Sequence, residues 1–239
     1  MKPIFTQPLT ILPGMCDFDG LLGVPNIFSL FMDIATEHAE ALHVGMNDLM
    51  PQGLFWLTVR TKARFYRRPG LTERVTAITW PEPPERSRCY RDYAIEKNGE
   101  VLVEGRTEWM IMNMKTGRLV PTDTVFPREL DFEARRTLPE PFLRLSEDPE
   151  GAAPLGAYTV RATDIDLGGH MNNAAYLRAL AGAFSSKAWR DMAVHELEAS
   201  YRSPCFEGET LQILQKTSDD GREVLFTRDG KAVFLARIR

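Results

Sequence analysis

The sequence predicts an α+β fold built twice, as two tandem copies of a curled antiparallel sheet wrapped around a central helix. Three observations carry that prediction: a weak internal repeat, the same order of strand-like and helix-like segments in both halves, and a tight-turn signal before the last strand of each half.

The repeat comes first. DFDGLLGVPNIFSL, from Asp17, aligns without gaps on DIDLGGHMNNAAYL, from Asp164, so that Asp17 meets Asp164, Asp19 meets Asp166, Asn26 meets Asn173 and Leu30 meets Leu177, at an offset of 166 − 19 = 147. Downstream, FYRRPGLTERV aligns on SYRSPCFEGET, with Tyr66, Arg67 and Pro69 on Tyr201, Arg202 and Pro204, at 201 − 66 = 135. The turns Asn98-Gly99 and Asp229-Gly230 follow at 230 − 99 = 131. Matches in the same order, at an offset that only shrinks, point to a second copy with shorter loops.

Each copy opens with a short strand that ends at the Asp-x-Asp turn, and an amphipathic helix follows. Ile27, Leu30, Phe31, Ile34, Ala35 and Leu42 mark one face of the first helix, and Leu177, Leu180, Ala181 and Phe184 one face of the second. Asn26 and Asn173 are caps or first-turn residues, because their side chains satisfy free backbone N–H groups. Strands are expected near 54–67, 73–80, 88–97 and 100–113, then near 195–203, 209–217, 222–229 and 231–238. Asn98-Gly99 and Asp229-Gly230 are tight-hairpin signals between the last two strands of each set. One helix can be buried by so few strands only if the sheet curls around it. The first copy is assigned to residues 1–116 and the second to 154–239, with a Pro-rich, charged linker over 117–153 in which Pro127 opens a short helix.

Composition narrows the function. With 44% hydrophobic and 26% charged residues the chain reads as an ordinary globular protein, and a net charge of −4 gives no reason to invoke nucleic acid. No apolar run approaches the roughly 20 residues of a membrane span. The opening MKPIFTQPLTILPG lacks the features of a signal or transit peptide, so a cytoplasmic location is expected. Three dispersed cysteines argue against a disulfide framework or a zinc site. Arg60, Lys62, Arg64, Arg67 and Arg68 form a basic run, which is either a solvated strand face or a docking patch for an acidic partner. His38, near the apolar stripe of the first helix, reads as a hydrogen-bonded interior or interface residue.

Chemistry concentrates in the second copy, where Asp164, Asp166, Gly168, Gly169, His170, Asn172 and Asn173 fall together; in this alignment the first copy has Gly23 in place of His170. A strand that ends in a glycine-rich turn at a helix N-terminus offers free N–H groups and a positive dipole end. Such a place polarises a thioester carbonyl and stabilises the oxyanion formed on it. His170 is then a general base toward water or a holder of the carbonyl, and Asp166 orients His170 or activates water itself. The alternative is that these residues only cap a helix, with His170 on the surface.

DIDLGGHMNNAAYL resembles the Asp-x-Asp-x-x-x-His-(Val/Met)-Asn-Asn-x-x-Tyr signature of hotdog-fold thioesterases. The double layout, LEASYRSPCFEGETL and GLFWLTVRTKARFYRRPGLTERVTAITWP resemble the plant and bacterial acyl-acyl carrier protein thioesterases. The resemblance implies a tandem hotdog that hydrolyses fatty acyl thioesters without a cofactor, with catalytic residues in the second copy and an acyl pocket shaped by the first. It places the catalytic carboxylate on Asp166 and the histidine on His170. The asparagine expected between them falls on Gly168, a further acidic residue on Pro204, and a cysteine once regarded as the nucleophile on Cys205. Cys205 otherwise reads as a packed apolar residue. Gly168, Gly169, Asn173, Phe31 and Trp56 are the expected substrate-binding residues. The Gly168-Gly169 pair also resembles single-hotdog acyl-coenzyme A thioesterases, so the thioester partner is acyl carrier protein or coenzyme A. An acyl-binding protein that has lost catalysis is a third reading. The chain is expected to work as a monomer or a homodimer.

Overall fold

The computed structural model describes residues 2–127, 129–218 and 221–239. The chain divides into two compact units, Met1–Glu140 and Pro141–Arg239. No helix among the described residues is long and apolar enough to cross a membrane.

The first unit runs β1 (Phe5–Thr10), α1 (Val24–Ala41), α2 (Met46–Leu49), β2 (Leu54–Phe65), β3 (Arg74–Pro81), β4 (Cys89–Lys97), β5 (Glu100–Asn113) and β6 (Arg118–Val120). Its antiparallel sheet has the order β1-β3-β4-β5-β2, with β6 added to β5. The second unit runs β7 (Ala153–Thr159), α3 (Asn173–Gly182), α4 (Ser186–Asp191), β8 (Glu196–Tyr201), β9 (Thr210–Ser218), β10 (Gly221–Arg228) and β11 (Lys231–Ile238). Its order, β7-β9-β10-β11-β8, is the same topology with each strand replaced by its repeat. Each unit is a hotdog, an antiparallel sheet around one long helix.

Local sequence explains the elements. Pro25 sits in the first turn of α1, where its missing N–H costs nothing, and Ile27, Phe28, Phe31, Ile34 and Ala35 are buried on the sheet side. The helix stops where His43 enters the left-handed region (φ 57°). Phe31 lies so close to β5 that a Cβ at Gly105 would fall 2.2 Å from its ring, which is why a glycine stands mid-strand there. Both predicted hairpins form, with φ of 51° and 84° at Asn98 and Gly99 and 52° and 76° at Asp229 and Gly230, as a two-residue turn demands.

The segment between the copies differs from expectation. Arg118–Val120 is a strand rather than linker. Among the described residues of 127–138 there is no helix, and Arg128 lies outside the described residues. The segment instead covers the outer face of the first sheet. Trp80 Nε1 donates to Arg135 O (2.8 Å), the Arg135 guanidinium lies 4.1 Å over the Trp80 ring, and Thr137 donates to Asp92 Oδ1 from its N–H (3.1 Å) and hydroxyl (2.7 Å). Backbone groups used in this way are not available to a helical ladder. Leu145 is buried against Leu225 and Leu235 of the second unit.

The basic run meets this cover. Arg60 binds Glu108, Lys62 donates to Glu140 O, and Arg64 pairs with Glu140 at 3.7 Å. Arg67 binds Glu73 and Arg68 binds Asp17. Alternation aligns Arg60, Lys62 and Arg64 on one strand face, whereas Arg67 and Arg68 lie beyond the end of β2; internal acids and a carbonyl engage these charges, so the run is neither simply solvated nor an open patch.

Candidate active site

The turn after β7 is fixed by its own backbone. Gly169 N donates to Asp166 O (3.0 Å), Asp166 N to His170 O (3.0 Å) and Gly168 N to Asp166 Oδ1 (2.8 Å). Gly169 takes φ 78°, which favours glycine. Asn172 then caps α3: its Oδ1 accepts from Ala175 N (2.8 Å), and its Nδ2 donates to Asp164 O (2.8 Å). Asn173 is the first helical residue, so of the two places expected for it, cap or first turn, it takes the first turn, and its neighbour Asn172 is the cap. Its N–H and that of Ala174 belong to the first turn, which has no intrahelical acceptors.

The two aspartates therefore divide. Asp164 is buried, and its Oδ2 accepts from Tyr158 Oη (2.8 Å) and Arg161 N (2.9 Å), so it holds the turn together. Asp166 is accessible, its side chain 35% exposed, and its Oδ1 lies 3.7 Å from Nδ1 of His170, itself 31% exposed. That separation is beyond a hydrogen bond but well within Coulombic reach. Gly168 lies between them. A first side-chain atom there would be 3.0 Å from both Asp166 Oδ1 and His170 Nε2, so the glycine leaves the space between carboxylate and imidazole uncovered.

Cys205 joins the site through its backbone. Its carbonyl accepts from Met171 N (2.8 Å), which fastens the loop after β8 to the turn. The thiol is fully buried, reaches Ser203 O at 3.9 Å and is pushed up in pKa by burial, against a smaller lowering by Tyr176. Among the described residues no histidine or carboxylate is bonded to the thiol, which is the wrong setting for a nucleophile. Phe31 and Trp56 both lie in the first unit. Phe31 is stacked on Tyr93 at 4.4 Å. Trp56 meets Trp109 and Phe126 at 6.2 and 6.1 Å and donates from Nε1 to Val44 O (2.8 Å).

Hydrogen bonding also corrects the register of the repeat. Asp17 N donates to Leu21 O, Gly20 N to Asp17 O and Asp19 N to Asp17 Oδ1, the same pattern that Asp166, Gly168, Gly169 and His170 make. The structural offset is thus 166 − 17 = 149, so Asp166 corresponds to Asp17, not Asp19, and His170 to Leu21, not Gly23. Likewise Leu22 N donates to Pro69 O as Met171 N does to Cys205 O, an offset of 205 − 69 = 136. Pro204 therefore occupies the place of Arg68, the residue that binds Asp17. The first copy keeps the carboxylate but neutralises it and lacks the histidine. Matching by residue identity missed this because Asp-x-Asp occurs in both copies and locks the alignment two residues out of step.

The acyl-ACP thioesterase N-terminal domain model matches residues 2–125, and the C-terminal domain model matches residues 149–231. The chain belongs to the acyl-ACP thioesterase family. Among curated acyl-ACP thioesterases, it is 27% identical over 225 residues to oleoyl-acyl carrier protein thioesterase 2, chloroplastic, of Arabidopsis thaliana, covering 84% of this chain and 59% of that protein. It is 24% identical over 245 residues to palmitoyl-acyl carrier protein thioesterase, chloroplastic, of Gossypium hirsutum, covering 92% and 56%. The chain spans little more than half the length of these plant relatives. Among solved structures, an acyl-ACP thioesterase from Bacteroides thetaiotaomicron superimposes with a TM-score of 0.82 at 19% identity, covering 99% of this chain and 97% of that one. The 12:0-ACP thioesterase from Umbellularia californica does so at 0.82 and 18%, covering 100% and 97%. The fold is that of the acyl-ACP thioesterases.

Proposed function

We propose that the chain hydrolyses fatty acyl thioesters carried on acyl carrier protein, giving a free fatty acid and the carrier thiol. One observation supports this beyond family membership: Asp166 and His170 face each other across an uncovered glycine beside the N-terminus of α3, and among the described residues no Lys or Arg is paired with Asp166.

In this reading, Asp166 takes a proton from a water as its oxygen bonds to the thioester carbonyl carbon. Charge moves onto the carbonyl oxygen, where the first N–H groups of α3 and their dipole stabilise it. Collapse of that intermediate breaks the C–S bond, and the departing thiolate takes the proton that Asp166 received. His170 orients the carbonyl. Gly168 and Gly169 allow the thioester to approach the backbone, and Cys205 serves through its carbonyl rather than its thiol. The first unit holds the acyl chain. There Trp56, partly buried in an aromatic cluster, is better placed to line a pocket than Phe31, which packs the core.

A second reading, hydrolysis of coenzyme A thioesters, is favoured by the Gly168-Gly169 turn. The proposed compartment is the cytoplasm, and the proposed working form is a monomer or a homodimer. The test is a hydrolysis panel of acyl-acyl carrier protein and acyl-coenzyme A substrates of matched chain length. Higher kcat/KM on the carrier-protein thioesters is expected. Preference for coenzyme A would favour the second reading, and no turnover would leave an acyl-binding protein.

A further inference from the structure

The interface between α1 and the first sheet ought to be apolar, because a polar group sealed there without a partner costs several kcal/mol. At its centre it is not. Arg91 and Tyr93 of β4 point toward α1, since Arg91 Nη1 meets His38 Nδ1 at 3.0 Å and Tyr93 stacks on Phe31. On β5, Gly105 touches Phe31, so alternation puts Thr107 and Trp109 on the same face. The register places Arg91 opposite Thr107, and Thr107 opposite Thr61.

The hydrogen-bonding inventory of this cluster is one-sided. Arg91 is 5% exposed, and among the described residues its guanidinium bonds through Nη1, toward His38 Nδ1 and, at 3.4 Å, Thr79 Oγ1. His38 gives it no counter-charge. Its Nε2 donates to Lys2 O at 3.2 Å, and burial followed by the Arg91 charge lowers its pKa to about 4, so the ring is neutral. Asp92 points to the opposite face, where Thr137 binds it. Among the described residues Tyr93 Oη and Trp109 Nε1 are buried without a normal hydrogen bond, although Thr107 and Trp109 both lie close to the Tyr93 hydroxyl. A guanidinium does not deprotonate, and a buried one without a carboxylate is costly. Three donors, one of them charged, thus converge with no anion among the described residues to receive them.

We propose that this cluster binds the carboxylate of an acyl chain lying in the first unit, with Arg91 as its ion partner and Tyr93 and Trp109 as further donors. Two sources share that chemistry: the far-end carboxylate of a thioester whose acyl group is a dicarboxylic acid, and the carboxylate of a released fatty acid bound as an inhibitor. The proposal rests on the reading of the protein as an acyl thioesterase only for its choice of ligand, since binding tests it without turnover.

Calorimetric titration of the full chain with decanoate, sebacate (the ten-carbon diacid) and decanol decides it. At least one of the two carboxylates is expected to bind ten-fold or more tightly than decanol. Arg91→Met is expected to lose that advantage while decanol binding stays the same. Should Arg91→Met fail to fold, Tyr93→Phe and Trp109→Phe each remove one donor and are expected to weaken carboxylate binding three- to ten-fold. Equal binding of acids and alcohol, or carboxylate binding unchanged in these variants, would overturn the proposal. The sources separate in kinetics: a preference for ω-carboxyacyl thioesters that Arg91 confers points to the substrate, and competitive inhibition by decanoate that Arg91 confers points to the product. Absence of all turnover would count against the thioesterase reading alone.

Discussion

Arg68 binds the carboxylate of Asp17 in the first unit, and at the matching position of the second unit stands Pro204, next to Cys205, whose carbonyl accepts from Met171 after the Asp166 turn. One substitution between the copies therefore separates a neutralised aspartate from an available one. Pro204→Arg is expected to recreate the ion pair, cutting kcat/KM at least ten-fold without lowering the thermal midpoint. Its mirror, Arg68→Ala, is expected to keep turnover while costing about 2 kcal/mol of stability, the usual range for a bond to a charged group. Steady-state kinetics and thermal melts on both variants check the pair.

Cys205 contributes a carbonyl to Met171 and a buried thiol to packing. Cys205→Ala is expected to leave kcat within about three-fold and to cost roughly 1–2 kcal/mol through the small void. Loss of activity in a folded Cys205→Ala protein would return the thiol to the mechanism.

Asp92 is buried, and burial raises its carboxyl to about 7, with Glu82 adding to the rise and the Thr137 bonds opposing it. An unfolded aspartate titrates near 3.9. The folded chain thus holds a proton that the unfolded chain releases, so this contribution is fully present below about pH 4 and lost as pH rises through about 7. The thermal midpoint is expected to fall between pH 5 and pH 8. Asp92→Asn, whose Oδ1 still accepts from Thr137, should flatten that slope; equal slopes in both proteins would show that another group is responsible.

Phe31 and Gly105 set the spacing of α1 on its sheet. Gly105→Ala would put a methyl 2.2 Å from a ring already stacked on Tyr93, and about 3 kcal/mol of destabilisation is expected in urea unfolding. Phe31→Leu in the same chain should recover part of it.

Much of the fold was legible because periodicity and turn chemistry are local. The strand expected at 100–113 is β5, Glu100–Asn113, and the Asn98-Gly99 turn before it forms as its residues require. The candidate site was legible as a cluster, since Asp166, Gly168, Gly169 and His170 are close in sequence. Relations set by tertiary contact were not. The strap that binds Asp92 through Thr137 looks like linker until the sheet face beneath it is known. Arg91 and His38 are 53 residues apart in sequence, and only the packing of α1 on β4 brings them together. The roles of Asp164 and Asp166 could be exchanged on paper, and only the bonds from Tyr158 and Arg161 show which one is spent on structure.

The most direct test is hydrolysis of acyl-acyl carrier protein by the wild type and by Asp166→Asn, with circular dichroism to confirm that both fold. The account predicts turnover by the wild type and a loss of about 10²–10⁴-fold in kcat for the variant, the usual range for removing a general base. A folded Asp166→Asn protein that turns over at the wild-type rate would contradict it.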